Sequence, residues 1–165
     1  MMRFAPLALL LMLAACGLQP LYGDRAVSQS LRTVELAPIE GKAGYLVRAA
    51  LEQRLGKPVG GVAKYRLQVE LDDQINGFGV RRDDSVTRER RVLRARYRLI
   101  ETDGGTTVID ATAGSDSGID VVSSEYAVVA AEETALERLS DIISDQIVAR
   151  IALYVKRTDA AQPSK

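Results

Sequence analysis

The sequence contains no histidine, a single cysteine and no excess of charge of either sign. Each absence closes a class of function. Without histidine there is no Ser-His or Cys-His nucleophile pair, and the usual zinc ligands are missing. One cysteine cannot form a disulfide within the chain, so the fold must hold without one. With 22 Lys and Arg against 22 Asp and Glu, the molecule as a whole has no attraction for a polyanion, and nucleic acid is not an expected partner. After residue 16 no run is apolar enough to cross a membrane as a helix, which takes about 20 residues. What remains is ordinary for a globular domain: 47% apolar and 27% charged residues, enough for one sizeable core.

The one long apolar run lies at the start. Arg3 precedes Phe4 to Leu13, broken only by Pro6, and small residues follow. A cation, about ten apolar residues and a small-residue site make a secretory signal, too short to span a bilayer. The string Leu13-Ala14-Ala15-Cys16 resembles the lipobox of bacterial lipoproteins. That resemblance implies cleavage before Cys16 and a palmitate-type lipid on its sulfur. A plain signal peptide with a chance cysteine is the alternative. The expected organisation is a signal peptide over 1–15, a lipidated tether over 16–30, one domain over 31–157 and a disordered polar tail over 158–165.

Within the domain, Leu31 to Ala37 alternates and stops at Pro38, as a short strand does. Gly41 to Gly44 reads as a turn. Tyr45 to Leu55 reads as a helix with Val47, Ala50, Leu51 and Leu55 on its apolar face, closed by Gly56 and Pro58. Lys64 to Asp72 is an alternating strand, with Tyr65, Leu67, Val69 and Leu71 inward. Residues 75–84 read as a turn or a bulged continuation. Val86 to Thr102 is a long strand, Asp103-Gly104-Gly105 a hairpin turn, Thr106 to Gly114 a fourth strand and Ser115 to Val122 a loop. A long helix from about Ser124 to Lys156 follows, with Ala135, Leu139, Ile142 or Ile143, Ile147, Ile151 and Tyr154 on one face. The fold class expected is α+β: a two-layer sandwich of a mainly antiparallel four-stranded sheet with two helices packed on one face. The other face is then polar and free.

Charge is concentrated on that free face. Arg94, Arg96 and Arg98 alternate with Leu93, Ala95, Tyr97 and Leu99, so the arginines project together, away from the core. Like charges in a row repel, which anions seated against them would relieve. Arginine suits fork-like binding of phosphate or carboxylate. Arg91 and Arg66 are expected to join this face. The competing reading is a solvated face neutralised by neighbouring acids. The pairs Asp72-Asp73 and Asp83-Asp84 flank expected turns, where aspartate serves local hydrogen bonding, so neither catalysis nor metal binding is expected of them. Gly60-Gly61 and Gly104-Gly105 lack the residues of a phosphate loop. No catalytic residue, metal or cofactor is expected.

The string Cys16-Gly17-Leu18-Gln19-Pro20-Leu21-Tyr22-Gly23 resembles the mature N-terminus of the LptE family of lipopolysaccharide-assembly lipoproteins, in its alphaproteobacterial form. The order of elements agrees: a first strand, Gly44-Tyr45-Leu46-Val47-Arg48-Ala49-Ala50-Leu51 as first helix, a long basic strand, a hairpin, and Tyr126-Ala127 opening a last helix rich in Ala and Glu. The resemblance implies a lipid-anchored protein on the periplasmic side of the outer membrane. It would partner an LptD-like β-barrel and contact lipopolysaccharide through basic residues of the sheet. On this chain those fall between Arg88 and Arg98, with Arg91, Arg94, Arg96, Arg98 and Arg66 as the candidates. The alternative is an auxiliary lipoprotein of another envelope lipid transporter, with an apolar groove in place of a basic face. A lipid-anchored hydrolase is disfavoured by the missing histidine.

Overall fold

A computed structural model describes residues 31–56, 63–80 and 86–161. In chain order the elements are β1 (Val34–Leu36), α1 (Gly41–Leu55), β2 (Tyr65–Val80), β3 (Val86–Glu101), β4 (Thr107–Asp120) and α2 (Glu125–Ala161). The strands form one sheet in the order β1-β2-β3-β4. The two layers expected from the alternation are present, with both helices on one face of the sheet. The sheet is mixed: β1 pairs parallel to β2, because α1 carries the chain back before β2 begins. The pairs β2–β3 and β3–β4 are antiparallel.

Alternation decides what is buried. Tyr65, Leu67 and Val69 of β2, Leu93, Ala95, Tyr97 and Leu99 of β3, and Ile109 and Ala113 of β4 face the helices and are buried. Against them α1 presents Val47, Leu51 and Leu55, and α2 presents Leu136, Leu139, Ile143, Ile147, Val148, Ile151 and Val155. Each such side chain, fully buried, contributes about 1.5–3 kcal/mol through the area it removes from water. Of the two candidates on α2, Ile143 is the core residue and Ile142 is exposed. Tyr154 packs edge-on against Tyr65, ring centroids 6.1 Å apart.

The two helices run side by side in the same direction. Lys42 binds Glu133 near their starts, and Arg54 binds Asp141 and Asp145 about two to three turns on. Ser140 and Ser144 are buried where they meet, each hydroxyl donating to the carbonyl four residues back on α2. α1 begins earlier than the expected turn over Gly41 to Gly44 allowed. Gly44 is its buried close-approach point: a Cβ there would stand 2.7 Å from the Ile39 carbonyl oxygen. Gly56 ends the helix at φ +75°.

Of the two readings of residues 75–84, the strand continuation holds for 75–80, which extend β2, while residues 81–85 lie outside the described residues. Two further boundaries move. β4 runs on through the expected loop of Ser115 to Asp120, because those residues pair with Arg88 to Leu93 along β3. α2 includes Asp159 to Ala161, part of the expected tail. Ser124 caps it, its hydroxyl accepting from the Ala127 N–H at 3.4 Å.

The lengths explain the shape. α2 has 37 residues, about 55 Å at 1.5 Å each, and β3 has 16, about 53 Å at 3.3 Å each. α1, with 15 residues, reaches only about 22 Å. The end of the sheet bearing β1 is therefore roofed by both helices. The far end, where β2 and β3 project, is roofed by α2 alone, and Ile75 on its helix side is exposed there.

Candidate functional site

Register places the arginine row. On the face away from the helices, Arg94 lies opposite Asp72 of β2 and Gly114 of β4. Arg96 lies opposite Glu70 and Thr112, and Arg98 opposite Gln68 and Asp110. Arg88 and Arg90 continue the row toward the start of β3, opposite Phe78 and Asn76. These two were not among the candidates, although their parity with Arg94 puts them on this face. Arg66 is on the same face at the other end, opposite Ile100 and next to Glu35. Cys16 lies outside the described residues.

Arg91 does not join the row. It shares parity with Leu93, not Arg94, so it points under α2, where its side chain is only 11% exposed. Its Nε and Nη2 donate to both oxygens of Asp73 at 2.8 and 2.6 Å, and Nη1 donates to the Glu132 carbonyl at 2.8 Å. The fork-to-fork bond to Asp73 holds the guanidinium even more firmly charged than usual. Arg91 thus ties β2, β3 and α2 together where α1 no longer reaches. Asp73 is spent on this tie. Asp72 and Asp73 do not flank a turn: they sit inside β2 on opposite faces. Asp83 and Asp84 lie outside the described residues. Among the described residues, no group of three or more acids, histidines or cysteines is placed to hold a metal ion.

Beside this tie stands Glu89, whose Oε2 is buried and without a hydrogen-bond partner among the described residues. Burial, and then the negative charge of Glu132, push its carboxyl above the usual carboxylate range. The folded state therefore holds this proton at a pH where the unfolded chain has lost it. Stability falls as pH rises through that window and is regained on mild acidification. Glu89→Gln should unfold at higher urea concentration than the parent at neutral pH, and the advantage should shrink in mild acid. A variant equal to the parent at neutral pH would show that Glu89 carries no such penalty.

The free face is not a bare cationic strip. Arg96 grips both oxygens of Asp110, Nε at 3.3 Å and Nη2 at 3.0 Å. This pair holds the Asp110 carboxyl below its ordinary range and the guanidinium above its own. Arg98 reaches Glu70 at 3.2 Å, Arg88 reaches Asp120 at 3.1 Å, Arg90 reaches Asp116 at 3.5 Å and Arg66 reaches Glu35 at 3.7 Å. Arg90 also lies over the Phe78 ring, 5.7 Å from its centroid. The reading of a face neutralised by neighbouring acids is thus realised for most of the row. These pairs are exposed, and solvent screening leaves each of them little to contribute to stability.

Arg94 is the exception. Among the described residues no carboxylate lies within ion-pair distance of it. Asp72, directly across on β2, accepts instead from the Gln74 amide at 3.1 Å. On the β4 side Arg94 faces Gly114, which has no side chain to offer. The result is an open hollow of about 540 Å³ in the middle of the sheet, lined by Glu70, Asp72, Arg94, Arg96, Thr112 and Gly114 among others. An anion entering it meets one unoccupied guanidinium and, beside it, a second held only by an exposed aspartate. The pattern of ion pairs depends on strand register, so sequence parity alone could place the row but not single out Arg94.

Residues 31–151 match the sequence model of the family described as LptE, Lipopolysaccharide-assembly. No curated protein sequence matches the chain. Among solved structures, the chain is similar to a lipoprotein from Caulobacter crescentus CB15, with a TM-score of 0.63 and 22% identity over 79% of this chain and 96% of that one. It is also similar to the rare lipoprotein B of Shewanella oneidensis, with a TM-score of 0.60 and 11% identity over 76% of this chain and 98% of that one. A minor lipoprotein of Acinetobacter baumannii gives 0.58 and 12%, over 74% and 92%. At these identities the structures show a shared fold.

Proposed function

The chain belongs to the LptE family, and from that premise we propose that this lipopolysaccharide-assembly lipoprotein partners an LptD-like outer-membrane β-barrel and binds lipopolysaccharide on the free face of its sheet. The anchor is the lipid on Cys16, and the domain works on the periplasmic side of the outer membrane. The role is binding rather than catalysis: the chain has no histidine, and its one cysteine is committed to lipid.

The observation that carries the reading is Arg94. It is a solvent-facing guanidinium in the middle of a sheet, above a hollow, with every neighbour in the row already paired. A guanidinium left unpaired among paired ones is free to take an oxyanion through its fork of donors. The phosphorylated headgroup of lipopolysaccharide supplies such oxyanions. Arg96 lines the hollow beside Arg94, and Arg98, next in the row, pairs with Glu70 of its lining; both belong to the proposed site. Arg66, paired with Glu35 at the β1 end, is peripheral to it, and Arg91 is structural.

The partnership is tested by capture. The protein with a C-terminal affinity tag, purified from detergent-solubilised outer membrane, should elute with a large β-barrel and with lipopolysaccharide. Elution without a barrel, but with components of another lipid transporter, would favour the auxiliary-lipoprotein alternative and sink this one.

A further inference from the structure

We infer that Asp110 is a built-in competitor for the anion site: its carboxylate occupies the guanidinium fork of Arg96 that a phosphomonoester headgroup takes over on binding. The inference rests on the proposal that the free face binds phosphorylated lipid.

Three observations lead to it. Asp110 engages Arg96 through two nitrogens, at 3.3 and 3.0 Å, the two-point geometry in which a phosphate oxygen pair binds arginine. Both partners are exposed, 61% for Arg96 and 45% for Asp110, so the pair gains little over its separated, hydrated halves and opens easily. Next along β3, Arg94 has no carboxylate within ion-pair distance among the described residues, so an arriving phosphate finds one free cation and one borrowed one. The sequence of contacts follows: Arg94 takes the headgroup first, and Arg96 then turns from Asp110 to the same phosphate. Asp110, released, remains ionised and repels the new anion. Both effects weaken binding, and both are useful in a protein that must pass its cargo on.

The competition is specific to position. Asp116 carries the same charge on the same face of β4, but it pairs with Arg90, four positions along β3 from Arg94. Replacing either aspartate by asparagine changes the net charge equally and keeps the shape. Only Asp110→Asn frees a guanidinium at the hollow.

The test uses the mature lipid-free protein and phosphatidylcholine vesicles doped with phosphatidic acid, whose headgroup is a phosphomonoester. Asp110→Asn should bind about two- to fivefold more tightly than the parent, the fold-change that corresponds to the worth of an exposed ion pair. Asp116→Asn should bind as the parent does, and Arg94→Ala should bind more weakly. If Arg94→Ala weakens binding but Asp110→Asn changes nothing, the competition is overturned and the anion site stands. If both aspartate variants tighten binding equally, the effect is general charge and the competition is again overturned. If Arg94→Ala also binds like the parent, the anion site itself falls. Inorganic phosphate added as competitor separates the two sources of the chemistry. Displacement shows that the phosphate group alone fills the seat, and retention shows that the lipid must present it. In either case a tighter Asp110→Asn variant supports the competition and an unchanged one overturns it.

Discussion

Cys16→Ser should turn a protein that partitions almost wholly with lipid into one that stays in the aqueous phase. The grounds are the Leu13-Ala14-Ala15-Cys16 string and the character of the rest of the chain. Among the described residues no helix is long and apolar enough to cross a membrane, and the two helices spend their apolar faces on the sheet. Attachment then depends on acyl chains, each buried methylene contributing about 0.8 kcal/mol, so that two or three chains anchor stably where one is marginal. Serine has no sulfur to acylate. Purified parent protein mixed with neutral phosphatidylcholine vesicles should pellet with them, and its mass should show an acylated N-terminal cysteine without residues 1–15. The serine variant should remain in the supernatant. A parent protein of unmodified mass, or a serine variant that still pellets with neutral lipid, would remove Cys16 as the anchor.

What the sequence revealed and what it hid divide along a physical line. Side-chain parity is a local property, so the buried set Leu93, Ala95, Tyr97 and Leu99 and the outward set Arg94, Arg96 and Arg98 could be read directly, and both stand. The misplacement of Arg91 broke that same rule: its odd number puts it with Leu93, and the signal was there to use. The extension of β4 through Ser115 to Asp120 was hidden for a different reason. Small and polar residues have weak strand preference, and what makes them strand is a neighbour with which to pair, here Arg88 to Leu93. The start of α1 at Gly41 was masked by its two glycines, which read as a turn until the close approach to Ile39 is known. Least legible of all was the charge pairing. Asp110 and Arg96, or Asp73 and Arg91, are far apart in sequence and meet only through register, so among the described residues a row that looked uncompensated proved compensated at every arginine but Arg94.

That residue gives the most direct test. Arg94 has no ion-pair partner to lose among the described residues and no place in the core, so Arg94→Glu should keep the fold and shift the thermal unfolding curve only slightly downward, through the Asp72 it then faces. Lipopolysaccharide should lose an exposed charge-assisted contact of about 1 kcal/mol and meet a repulsive charge in its place, a total of about 1.4–2.8 kcal/mol and hence about a 10- to 100-fold rise in Kd. The remaining binding should also depend less on salt, since one attractive charge is gone. The measurement is a titration of purified, lipid-free protein with lipopolysaccharide at low and physiological salt. A 10-fold or greater loss with a parent-like unfolding curve is the result expected. Equal affinity and equal salt response in parent and Arg94→Glu would contradict the assignment of this face to lipopolysaccharide.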